Sequence, residues 1–504
     1  MSVDYDLVVI GGSQAARYAA LAATHLQARV ALVEPQQTGE NWLMSGYMYS
    51  RTATHIGLVA QQVRDANQFG VHLHADSKED SKDIGEQPKG HRLGDRVSVS
   101  IRFNEAMQYA RSVVSTLEEQ NSPAILSSLG VDVIVGSGEF SRKPHLAFVV
   151  NGRRLRSRAF LIATGSTPAV PEIDGLQAAG YLTPADIWRA DITKPLAKNW
   201  VVIGGTPTGT EMAQTLARLG ADVTLVTSRS RILAKEDPET AFLVQAQLEA
   251  EGVRVITDSP ITQVRPIDSK KWVQAGNKAI ETDEILLATR HLPKIEYLNL
   301  ESVGVKFHPR GIHINEKLQT TNRRIYTCGD VSGGYQLAYI AEYEAKIALK
   351  NALFLPSYKI DYREIPYCIF SSPQLARIGM TEEQARTRYG KDVLVLRQYF
   401  KSVAAALMIG ETTGLCKIVV RGNGEILGAS IVGFQAVELI QAIALAMRHN
   451  IKVSAIADFP HISPTFSEIT YQAAAEWDKQ RLSHNKGLQN FLEGFFNLRR
   501  SWSK

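Results

Sequence analysis

Two short segments of the chain have the residue types and spacing to hold nucleotide phosphates. Gly11-Gly12-Ser13-Gln14-Ala15-Ala16 follows the apolar run Leu7–Ile10, and Gly204-Gly205-Thr206-Pro207-Thr208-Gly209 follows Trp200–Ile203. A pyrophosphate needs a tight turn, close backbone approach and a helix N-terminus, where free N–H groups and the helix dipole favour anions. Gly11 and Gly204 supply the turn, Gly12 and Gly205 leave room beside it, and Ala16 and Gly209 fill the small third position. In both segments a hydroxyl residue replaces the middle glycine: Ser13 in the first, Thr206 in the second. A hydroxyl there either bonds a phosphate oxygen or crowds the ligand.

The residues that end the following strands differ. Glu34 stands where an acid bonds both ribose hydroxyls. The second segment ends in Thr227, with Arg229 and Arg231 shortly after it and no carboxylate. An acid there would repel a 2′-phosphate and an arginine pairs with it, so NADPH is expected rather than NADH. The plain alternative is that both arginines are solvated loop charges. Two further turns end apolar strands with small residues: Ala163-Thr164-Gly165, and Gly329-Asp330 in Ile325–Asp330. Such turns let backbone approach a ligand, and Asp330 could accept from a polyol hydroxyl.

The elements that position these residues form a repeat. Asp6–Glu34 and Asn199–Thr227 each read strand, Gly-rich turn, Ala-rich helix, strand. This is a βαβ unit occurring twice, which implies two dinucleotides. The expected fold is α/β, with two Rossmann-like dinucleotide-binding domains and a C-terminal α+β domain. The expected division is 1–168 for the first nucleotide domain, with a polar insertion at about 72–96, and 169–292 for the second. Residues 293–355 return to the first domain, 356–476 form an α+β dimerisation domain, and 477–504 form a basic tail. Helical spacing runs over Phe103–Leu129, Glu382–Tyr389 and Gln435–Arg448, and strands are expected over Val131–Phe140, Leu146–Val150, Asp392–Gln398 and Cys416–Val420.

The 504 residues are 44% hydrophobic and 21% charged, with a formal net charge of +5. This is ordinary globular composition and too weak a charge to imply nucleic acid as a partner. Cys328, Cys368 and Cys416 lie far apart with no metal-ligand spacing, as expected of buried thiols in a reducing compartment. No metal site is expected. Asp4, Tyr5 and Asp6 lead straight into an apolar strand, and no apolar run approaches the roughly 20 residues needed to cross a bilayer. A cytoplasmic protein, peripheral to a membrane at most, is the expectation.

Taken in order, these segments resemble the pyridine nucleotide-disulfide oxidoreductase family, which includes glutathione reductase, dihydrolipoamide dehydrogenase and mercuric reductase. The resemblance covers roughly residues 4–475, and Glu438–His461 looks closest to mercuric reductase. It implies FAD on the first unit, NADPH (or NADH) on the second, and a homodimer formed by the last domain. Glu211 matches an acid that pairs with a lysine beside the flavin, and Arg51 stands at that lysine's position. The bland reading of Glu211 is a surface residue on a helix. Where the family reads ATGRxP this chain has Ala288-Thr289-Arg290-His291-Leu292-Pro293, so a glycine has become Arg290.

The departure with the largest consequence falls on Gly39–Arg51. The family places its redox cysteine pair there, and Trp42 and Tyr47 occupy those two positions. In the family's HxHPTxxE pattern, Ser463 replaces the catalytic histidine, while His461 and Glu468 remain. His461 is either structural or part of the chemistry. Nucleophile, partner and base are lost together, so glutathione, lipoamide and mercuric reductase activities are expected to be absent. Trp42, Tyr47 and Tyr49 either stack with a planar acceptor such as a quinone or fill volume. The expected function is transfer of electrons from NAD(P)H through FAD to a small-molecule acceptor, the alternative being a redox-sensing or non-enzymatic flavoprotein. Residues 478–504 carry six Lys/Arg against two acids, with Leu488, Phe491, Leu492, Phe495, Phe496 and Trp502 near helical spacing. Such a helix lies on a membrane surface or docks on the protein's own body or dimer mate.

Overall fold

The computed structural model describes residues 3–35, 42–71, 101–119, 122–189, 195–363, 365–484 and 486–502, with side chains in the helix Trp42–Asp65 described from Met48 onward. The polar insertion, Trp42 and Tyr47 as side chains, and the end of the tail lie outside them.

The first sheet is parallel, in the order Ile325–Thr327, Ser157–Ile162, Tyr5–Ile10, Val30–Glu34, Asp132–Val135. Its central strand is apolar and buried from Leu7 to Ile10, where both faces are covered. Leu7 and Val9 pack under the helices Gln14–His25 and Ala338–Leu353, while Val8 and Ile10 pack on Phe140 and Phe148 of a three-stranded antiparallel sheet. The strand Ile325–Thr327 adds to this sheet from far along the chain, which brings Gly329 and Asp330 beside the first turn.

The second domain repeats the plan. Its parallel sheet runs Arg254–Ile256, Asp222–Val226, Asn199–Ile203, Glu284–Leu287. Trp200 and Val202 face helices, and Val201 and Ile203 face a three-stranded antiparallel sheet spanning 261–282. The chain enters and leaves this domain through a ribbon in which Ser166–Pro168 pairs antiparallel with His291–Pro293.

The C-terminal domain is a five-stranded antiparallel sheet ordered Tyr367–Ile369, Gln374–Gly379, Ile426–Gly433, Leu415–Arg421, Val393–Tyr399, covered by Ala436–Arg448 and Glu468–His484. The expected helix over Phe103–Leu129 is two helices, Phe103–Glu119 and Pro123–Ser128, the second capped by Ser122 with proline in its first turn. The expected strand Val131–Phe140 is likewise two, Asp132–Val135 and Gly138–Ser141.

Candidate active site

Each nucleotide turn is a strand end pressed against a neighbouring strand end. Gly11 has φ 132°, and a Cβ there would lie 2.3 Å from Ala163 O. Gly204 has φ 122°, with Ala288 O at 2.4 Å from the same hypothetical atom. Only glycine tolerates that backbone and that approach. Ser13 and Thr206 each bond within the protein. Ser13 is the N-cap of Gln14–His25: its Oγ accepts from Ala16 N at 3.2 Å and donates to Ala163 O at 3.0 Å. Thr206 caps Pro207–Arg218, accepting from Gly209 N at 3.1 Å and donating to Ala288 O at 2.8 Å. Each hydroxyl thus fastens its helix start to the adjacent strand.

A cavity of about 280 Å³ opens beside the first turn. It gathers Ser13, Arg51, Ala163, Gly165, Glu211, Gly329 and Asp330 from five separate stretches of sequence. Thr164 lies at its edge, its hydroxyl held by Lys294 O at 2.7 Å. Residues that the motifs did not single out also line it: Ser166, Thr183, His291, Gln336 and Leu337. Asp330 accepts from Ser166 Oγ at 2.7 Å. Burial raises the Asp330 carboxyl, against the pull of that hydrogen bond and of His291. Burial lowers His291, and Asp330 and Gln336 oppose it. Leu337 and Ala338 bring the start of Ala338–Leu353 to the cavity wall, and no side chain caps that helix. Gly329 is held from behind, its N–H donating to Glu344 Oε2 at 2.6 Å while Tyr362 Oη donates to Glu344 Oε1 at 2.6 Å. Burial pushes the Glu344 carboxyl up to about 7. Its signal in the sequence is an acid on the buried stripe Ile340, Ala341, Ala345, Ala348.

Arg51 and Glu211 meet where Trp42–Asp65 crosses Pro207–Arg218. Thr54 and Thr215 hydroxyls pair at 3.1 Å one turn further on, and Ser50 touches Met212. Arg51 Nη1 lies 3.2 Å from Glu211 Oε2, and Nη2 lies 3.4 Å from Oε1. The C-terminal domain closes the pair: Phe370 N donates to Glu211 Oε1 at 2.7 Å, and its ring lies 3.5 Å below the Arg51 guanidinium carbon. That stacking favours the cation.

Other expected residues are placed elsewhere. Glu34 is buried and its carboxylate takes Arg17 Nε at 3.0 Å, so one oxygen is already engaged within the protein. Arg229 is exposed. Arg231 is not, and its guanidinium donates to Ala234 O at 3.0 Å and Glu236 O at 3.2 Å, which makes it the brace of its own loop. Tyr49 is buried in the core between the domains and does not line this cavity. His461 stacks on Tyr471 at 4.0 Å. Glu468 Oε1 accepts from Thr465 N at 3.0 Å ahead of its own helix. Neither lines the cavity of this chain. All three cysteines are buried and free, and burial raises each thiol, Cys416 to about 12.

Two parallel-sheet nucleotide domains in series, an Arg–Glu pair at their junction and an antiparallel closing domain define a two-dinucleotide flavin oxidoreductase. The chain belongs to the pyridine nucleotide-disulphide oxidoreductase family: residues 5–345 match the family's model and residues 365–474 match its dimerisation domain. It is 33% identical to a mercuric reductase of Staphylococcus aureus, over 94% of this chain and 83% of that protein. It is 31% identical to a dihydrolipoyl dehydrogenase of Bacillus subtilis, over 93% and 97%. Among solved structures it resembles the Cu(II) complex of the HOCl-induced flavoprotein disulfide reductase RclA from Escherichia coli (TM-score 0.78, 25% identity, 94% of this chain and 100% of that one). It also shares the fold of LpdA from Mycobacterium tuberculosis (TM-score 0.79, 23% identity, 93% and 99%). The family uses FAD and NAD(P)H, and the bare Cα of Gly11 and of Gly204 lets each strand end close against its neighbour in the tight turn that precedes a dinucleotide-binding helix. The dimerisation domain supports a homodimer.

Proposed function

We propose that this protein is an NAD(P)H-dependent flavin oxidoreductase that delivers electrons from flavin directly to a small acceptor such as a quinone, with no protein disulfide. One observation carries the reading: Gly39–Arg51 contains no cysteine, and the three cysteines elsewhere are buried with raised thiols. Thiol–disulfide exchange needs an attacking thiolate. The proposal therefore parts from the reactions for which the mercuric reductase and dihydrolipoyl dehydrogenase relatives are named.

In this reading Gly11, Gly12, Ser13, Ala16, Glu34, Ala163, Thr164, Gly165, Gly329 and Asp330 hold FAD, which when bound takes hydride from a nicotinamide and passes on two electrons. Gly204, Gly205, Thr206 and Gly209 hold the nicotinamide nucleotide. Arg229, exposed at the strand end, reads a 2′-phosphate; Arg231 shapes the loop that presents it. The Arg51–Glu211 pair orients charge and excludes water at the junction. Trp42 and Tyr47 stand in the place of the cysteine pair.

The test is anaerobic addition of NADPH to the yellow protein, followed by a quinone, with and without arsenite. The expected result is bleaching of the flavin and its reoxidation by quinone, both unchanged by arsenite. Inhibition by that dithiol reagent would overturn the direct transfer. Flavin that stays oxidised would favour a non-enzymatic flavoprotein.

A further inference from the structure

The helix Lys486–Trp502 belongs to neither nucleotide domain, and none of its described side chains is buried. It begins beyond the matched dimerisation domain, which ends at residue 474. It folds back on the end of Glu468–His484, where Gln489 Nε2 donates to Leu482 O at 2.8 Å and Leu488 and Leu492 are half-buried. Beyond that turn the apolar face stands in solvent, with Phe491 66%, Phe495 44%, Phe496 49% and Trp502 79% exposed. The Phe491 and Phe495 rings stack with centroids 6.4 Å apart, and Phe496 meets Phe495 edge-on at 5.5 Å. The exposed rings therefore form a connected patch, the kind that marks an interaction surface on a soluble protein. Lys486 opens the helix, Arg499 and Arg500 close it, and Glu493 is the one acid between residues 486 and 502.

We infer that this helix docks the protein on a lipid surface rich in anionic headgroups. A helix lying in the interface plane buries its aromatic face at the boundary of headgroups and acyl chains, and its basic residues meet the lipid phosphates. The sign of the charge beside the rings suits that surface. The helix has 17 residues, so its face is about 25 Å by 10 Å, roughly 250 Å², against roughly 800 Å² per partner in a stable dimer contact, and by itself it makes no dimer. No described helix is long and apolar enough to cross a membrane, so the attachment is peripheral. The inference is independent of which acceptor the flavin serves.

The experiment is sedimentation of the full-length flavin-bound protein with vesicles of phosphatidylcholine alone or with about a third phosphatidylglycerol. Parent protein is compared with F491S/F495S and R499E/R500E, with dimer elution and flavin absorbance followed in parallel. Expected is binding to the anionic vesicles that drops about tenfold at high salt and about tenfold in each double variant, with dimer and flavin unchanged. Parent protein left in solution with both vesicles would overturn the inference. So would equal, salt-independent binding to phosphatidylcholine, or variants that bind as the parent does. Conversion of the dimer to monomer by F491S/F495S would assign the face to a second copy instead.

Discussion

The two nucleotide turns share a backbone and part company at the strand ends that follow. In each, a glycine of positive φ faces an alanine carbonyl and a hydroxyl residue caps the helix while bonding that same carbonyl. The third position already differs: Ala16 is accommodated in the first turn, whereas a Cβ on Gly209 would lie 1.9 Å from Gly204 O. The strand ends differ more. Glu34 is locked to Arg17 inside the first domain, while Thr227 leads to an exposed Arg229 and a braced Arg231. The turn is thus a geometric unit that can be repeated, and the two units differ most in the strand ends that follow.

The largest expected effects come from breaking one turn at a time. Gly11→Val places branched atoms on the Ala163 carbonyl, and the purified variant is expected to be colourless. Gly204→Val is expected to stay yellow while its reduction by NADPH slows at least about a hundredfold. A yellow Gly11→Val protein, or a colourless Gly204→Val, would show that the two turns do not serve separate cofactors.

Next comes the buried support behind the first domain. The Glu344 carboxyl is raised from an ordinary 4.5 to about 7 in the folded protein. The folded state therefore binds more protons than the unfolded between those values, and stability from this group falls as pH rises through 7. Glu344→Gln is expected to flatten that fall by on the order of 3 kcal/mol, read as melting temperatures at pH values on either side of the window. A parallel pH dependence in the variant would remove Glu344 as its source.

The strand ends give a smaller and more selective effect. Arg229→Ala is expected to raise KM for NADPH about tenfold and leave NADH unchanged. Arg231→Ala loosens the whole loop and should raise both together. Equal selectivity changes in the two variants would erase the distinction drawn between them. The smallest effects belong to the caps. Ser13→Ala and Thr206→Ala are each expected to cost about 1 kcal/mol of stability, measured by denaturant unfolding, with flavin retention weakened by the first and not the second.

The repeat and the two glycine turns were legible in local spacing, whereas the approach of Arg51 to Glu211 was legible only through the family resemblance. The role of Ser13 was not: its hydroxyl needs Ala163 O, which local spacing cannot supply. That Arg231 also braces its loop through two carbonyls could not be read from spacing. Tyr49 reads equally as an acceptor wall or as filler, and only the packing of its helix shows it buried in the core. The strand Ile426–Gly433 is buried along its whole length and so lacks the alternation that signals a half-exposed strand. Glu344 was within reach, since its spacing places it among buried apolar residues.

Phe370 gives the architecture a mechanical consequence. It belongs to the C-terminal domain, yet its amide and ring complete the Arg51–Glu211 pair between the other two. A fragment ending before that domain would keep both cradles and still lose the clamp at their junction. Loosening the closing domain by heat or denaturant removes both contacts, and turnover is expected to fall before either cofactor is released.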